Sequence, residues 1–120
     1  MKNLEKWQLR ILLNSVRKIV YLSNQTRVDL NEIRQGLFTW NKFELSEAFI
    51  IEYINNIIDV CYLLNNILYH FSTEYEYHKQ FGSKVYKFRV NPKTTWYIIY
   101  DIDIHGNILV NKITSNHITY

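Results

Sequence analysis

Apolar and polar positions divide the chain into a helical first half and a stranded second half. Leu4, Trp7, Ile11 and Leu12 stand near helical spacing, so residues 1–16 read as a short amphipathic helix or a terminal arm. Lys18-Ile19-Val20-Tyr21-Leu22 is a β-branched and aromatic run that predicts a strand. Ser23, Asn24 and Thr26 then offer side-chain oxygens for a helix N-cap. Leu30, Ile33 and Leu37 recur at three and four residues, one buried stripe that ends around Gly36 to Trp40.

The next helix is predicted from about Ser46 to His70. Ser46 is a good N-cap, Glu47 suits the positive end of the helix dipole, and Leu45 can staple against Ile50. Ile50, Ile54, Ile57, Cys61, Leu64 and Leu68 keep the helical period, while Asn55, Asn56, Asp59 and Asn66 fall mostly off it. That is a surface helix with one buried side.

After Gly82 the period changes to two. Val85 to Val90 alternates, with Tyr86, Phe88 and Val90 on one face and Val85, Lys87 and Arg89 on the other. Asn91-Pro92-Lys93 makes a turn, because proline cannot donate to a ladder. Thr95 to Asp103 is a long aromatic and β-branched strand, His105-Gly106-Asn107 a second tight turn, and Ile108 to Ile113 a closing strand that Asn116 to Tyr120 can extend. The expected order is therefore β-α-α-β-β-β: an α+β fold with two helices packed on one face of a small, mostly antiparallel sheet.

Composition narrows this picture. A chain of 120 residues with 48% hydrophobic residues fits one globular domain and disfavours disorder. The lone Cys61 falls on the buried stripe and reads as a small core residue rather than a nucleophile. No apolar run approaches the roughly 18 residues of a membrane helix. Glu5, Lys6 and Arg10 interrupt the Leu4 to Leu13 stretch, which argues against a secretory signal.

The formal charge of +3 hides a segregation. Residues 1–43 carry eight Lys or Arg against three acids, residues 44–76 six acids and no base, and residues 77–120 six bases against Asp101 and Asp103. A basic final sheet beside an acidic helix points to a polyanion or an acidic partner. P-loop, dinucleotide and serine-nucleophile fingerprints are missing, and His70 and His78, eight apart, have no metal-ligand spacing.

Four stretches, in order, carry a family likeness. They are Lys18 to Ser23 followed by Leu30-Asn31-Glu32-Ile33; Ser46 to Ile54; Tyr86-Lys87-Phe88-Arg89-Val90 with Trp96-Tyr97-Ile98-Ile99-Tyr100; and Ile113 to Tyr120. Over residues 17–120 they resemble the RelE/ParE superfamily, toxins of bacterial type II toxin–antitoxin pairs. The resemblance implies a cytoplasmic toxin that cleaves messenger RNA at the ribosome, with the nucleotide's own 2′-hydroxyl as nucleophile. It implies no metal or other cofactor, no membrane, and a cognate antitoxin protein as partner. Lys87, Arg89, His117 and Tyr120 fall on the expected catalytic positions, and Tyr97 and Lys112 are the expected substrate contacts. Arginine and lysine would stabilise the crowded phosphorane, and a histidine can move a proton near neutral pH. Tyr97 stands where the family usually has arginine, and no arginine follows Arg89. An alternative within the same resemblance is a non-nuclease toxin acting on DNA gyrase, or a non-toxic protein-binding member. Trp40 and Trp96 are candidates for the antitoxin contact.

Overall fold

The computed structural model describes residues 18–39 and 45–117. The N-terminal helix or arm of residues 1–16, Trp40 and Tyr120 lie outside the described residues. In chain order the elements are β1 (Val20–Leu22), α1 (Asn24–Thr39), α2 (Glu47–Leu63), a 3-10 turn (Leu64–Asn66), β2 (Phe71–Ser72), α3 (Glu76–Lys79), β3 (Lys84–Asn91), β4 (Thr94–Ile102) and β5 (Ile108–Ser115). The fold is α+β with a five-stranded mixed sheet ordered β1-β5-β4-β3-β2. β1 runs parallel to β5, and the other neighbours are antiparallel.

Both long helices begin where their caps predict. Ser23 Oγ accepts from Thr26 N at 3.1 Å, and Ser46 Oγ accepts from Phe49 N at 3.1 Å. Leu30 of α1 and Ile50, Ile54, Ile57 and Cys61 of α2 are buried. Leu30, Ile54, Ile57 and Cys61 cover the sheet face formed by Ile98, Tyr100, Ile108, Val110 and Ile113, with Tyr86, Phe88 and Trp96 packed beside them. Trp96 is partly buried, and its indole N–H donates to Tyr53 Oη at 2.8 Å. Burial pushes the Cys61 thiol up to about 12, consistent with a core residue.

The long helix is shorter than its pattern suggests. It stops at Leu63, tightens through the 3-10 turn, and leaves Leu68 at 101% relative exposure rather than in the buried stripe. Asn65 and Asn66 explain the stop, since short amides compete for backbone partners, and Ile67 is already extended at φ −78°, ψ 144°. The chain then builds two elements that the alternation did not predict, β2 and α3. Their span, residues 67–83, is a strap that joins the sheet as its edge strand β2 and then carries α3 against Tyr97. Gly82 sits so close that a Cβ there would meet Tyr100 O at 2.8 Å, so this crossing requires glycine.

At the opposite edge α1 takes over where β1 ends. Asp29 Oδ2 accepts from Ile113 N at 3.0 Å, filling the ladder position of a missing strand. Its Oδ1 pairs with Lys112 Nζ at 2.7 Å. β5 runs to Ser115, beyond the expected Ile113, and then turns instead of continuing as a strand through Asn116 and His117.

Candidate functional site

Alternation along β3 and β4 sends one set of side chains to the helices and the other to the opposite, open face. Register places Val85 beside Ile99, Lys87 beside Tyr97, and Arg89 beside Thr95. All six lie on the open face. The strap covers part of it, with Tyr75 and His78 against Tyr97, and closes on itself where Thr73 N and Oγ1 donate to Ser83 O and Gly82 O, each at 3.0 Å. Between strap and strands lies a cleft of about 280 Å³ lined by Phe71, Ser72, Glu74, Tyr75, His78, Val85, Tyr86, Lys87 and Tyr97.

Aromatic rings make most of its walls. Tyr75 meets Tyr97 edge-on at 6.1 Å between centroids, and His78 tilts against Tyr97 at 4.8 Å. Tyr69 stacks edge-on with Phe71 at 4.8 Å next to the mouth. His78 is fully buried beneath these rings. Burial, and secondarily the Lys87 charge, lower its pKa, so it stays neutral at pH 7. Burial and the neighbouring Tyr75 raise the Tyr97 hydroxyl, which therefore keeps its proton. Lys87 is exposed, and Glu74 sits exposed at the rim.

Lys87 and Tyr97, two of the residues singled out from sequence, are thus brought side by side. Arg89 is the next residue on the same face, but its guanidinium turns to the β3–β4 turn. Nε donates to Asn91 O at 3.3 Å and Nη2 to Pro92 O at 2.9 Å. His117 lies past the end of β5, hydrogen-bonded through Nε2 to Thr94 Oγ1 at 2.9 Å. Thr94 is three residues from Tyr97 along β4, roughly 10 Å at strand rise. Lys112 also lies on the open face, yet its ammonium is held by the buried Asp29 carboxylate and lies 5.4 Å from the Phe81 ring centroid.

Phe71, Glu74 and Tyr75 are not singled out from sequence, and His78 figures there only as a metal ligand with His70, which their spacing argues against. The signal for them was the density of rings in Tyr69, Phe71, Tyr75, Tyr77 and Phe81, which lacks a helical or strand period. Among the described residues no three His, Cys, Asp or Glu side chains gather as a metal site requires. Comparison with family models, with curated proteins and with solved structures found no match to this chain.

Proposed function

We propose that this protein is the toxin of a type II toxin–antitoxin pair, cleaving messenger RNA on its open sheet face without a metal. One observation carries the reading: the face opposite the helices places Lys87 and Tyr97 side by side in an aromatic cleft, with Arg89 the next residue along the same face. A cation for phosphate and rings for bases are what a single-stranded RNA requires. In the reaction the 2′-oxygen bonds to phosphorus and the bond from phosphorus to the 5′-oxygen breaks. Lys87 offsets the charge of the phosphorane and Tyr97 donates a hydrogen bond to it, while His117, toward the end of the sheet, takes up the 2′-hydroxyl proton through water and returns one to the departing 5′-oxygen. Induction of the protein alone in bacteria should arrest growth and create new 5′ ends in messages. The combined substitution Lys87→Ala, Arg89→Ala and His117→Ala should remove both effects. Normal growth with folded protein would sink the toxin reading.

A second reading is favoured by one observation. Arg89 is engaged by turn carbonyls and Lys112 by Asp29, which leaves the face with less cationic charge to offer phosphate. A protein-binding member, directed at DNA gyrase or without toxicity, needs no such charge. Growth arrest with an SOS response and intact messages selects the gyrase-directed form.

A further inference from the structure

We infer that the cleft under the strap is a base-reading subsite for one unstacked guanine of single-stranded RNA, with the adjoining phosphate on Lys87. This rests on the reading of the open face as an RNA surface, and it names what the strap adds to that surface.

Size is the first constraint. About 280 Å³ lies just below the roughly 300 Å³ at which small-molecule sites begin, enough for one base and too little for a helix or a stacked pair. The walls are the second. Tyr75 and Phe71 are exposed, and Tyr97 meets Tyr75 edge-on in the lining, so a flat heterocycle entering the cleft meets ring surface. Such stacking contributes roughly 1–3 kcal/mol per base.

Charge then selects which base. Lys87 stands beside Tyr97 on the strand side, within reach of a phosphate outside the cleft. Glu74 lies on the strap side, and no ion pair joins it to another described residue. An ionised carboxylate only accepts hydrogen bonds, through two oxygens side by side. Guanine alone among the standard bases presents two adjacent donors on its Watson–Crick edge, the N1–H and the N2 amine. Adenine and cytosine offer one donor beside an acceptor, and uracil one donor between two acceptors. Each of those would set a lone pair against the carboxylate, and a misplaced acceptor in a partly desolvated site weakens binding.

The inference is tested with purified full-length protein and fluorescently labelled hexanucleotides carrying a non-cleavable 2′-O-methyl sugar, UUGUUU against UUAUUU. The guanine oligonucleotide should bind about tenfold tighter, or about 1.4 kcal/mol. Glu74→Gln, on an exposed side chain, should leave the fold unchanged and bring the two oligonucleotides within about twofold. Tyr75→Ala should weaken both by about tenfold. Equal binding of the two by the wild type, or a preference that survives Glu74→Gln, would overturn the guanine subsite while leaving an RNA-binding face. Failure to bind either oligonucleotide would overturn that face as well.

Discussion

The two faces of the β3–β4 ribbon share one backbone and differ in what holds their side chains. On the helix side Tyr86, Phe88, Trp96, Ile98 and Tyr100 are packed against the core beneath α1 and α2, and two of their polar ends find partners. Trp96 donates to Tyr53, and Tyr100 Oη shares a 2.7 Å hydrogen bond with His70 Nδ1. On the open side Lys87, Arg89 and Glu74 stand at the surface, and rings from a short strap line a cleft instead of filling it. Alternation at period two thus separates a face packed by helices from one that carries exposed charges within two strands. The exposed Lys87 and Arg89 can be removed at little cost to the packed face, unlike Val85 and Ile99, which share their face but are buried.

The sharpest test sets one residue from each side against the other. Ile57 is fully buried on α2 against the sheet, and Ile57→Ala leaves a cavity that should cost about 2–5 kcal/mol in urea unfolding. Lys87→Ala removes an exposed side chain and should shift the same midpoint by no more than about 0.5 kcal/mol. Under the RNA-cleaving reading the order reverses for message cleavage, which Lys87→Ala diminishes strongly and Ile57→Ala leaves in proportion to the folded fraction. If Lys87→Ala unfolds the protein, the separation of the faces is wrong.

Asp29 is the place where the separation fails, and it ranks next. This buried carboxylate belongs to α1 yet binds Ile113 N and the open-face Lys112. Asp29→Ala removes the surrogate ladder acceptor and strands a mostly buried ammonium, so about 3 kcal/mol should be lost. Adding Lys112→Met to Asp29→Ala should restore part of it, because the unpaired charge is then gone. A double variant no more stable than Asp29→Ala alone would mean that the lost Ile113 N–H bond dominates.

Period and caps made the framework legible. Ser23 and Ser46 start their helices, the stripe Ile50, Ile54, Ile57, Cys61 is buried, and Lys87 and Arg89 share the face away from the helices, all as alternation predicts. The end of α2 was not legible, because Leu68 continues the apolar period past the asparagines that stop the helix. The cleft was hidden for a related reason. Its strap contains a two-residue strand and a single helical turn, too short to show a period, and Gly82 and Thr73 hold it through backbone contacts. Sequence could nominate Lys87 and Tyr97 separately; only cross-strand register makes them neighbours. It could not foresee that Lys112 would be held by Asp29, a partner 83 residues away.

The smallest expected effect concerns His78, where burial and chemistry meet under the cleft. Its ring is enclosed by Tyr75, Tyr77 and Tyr97, and Lys87 adds positive charge nearby. Burial first, and then that charge, depress its folded pKa below the ordinary value of 6.5. His70, on the other face beside Lys84 and Lys18, is lowered in the same direction, again chiefly by burial. As pH falls through 6.5 the unfolded chain takes up protons that the folded protein refuses, so the unfolded state binds more protons and stability falls. Above 6.5 both states are neutral at these rings, and the full contribution is present. The urea midpoint should therefore drop between pH 7.5 and pH 5.5. His78→Gln should lie below the wild type at pH 7.5 and show a shallower drop, because one of the two refusing rings is gone. An equally steep drop in His78→Gln would mean that the ring is reached by solvent and protonates in place, and the cleft floor would then carry a second positive charge beside Lys87 at acid pH.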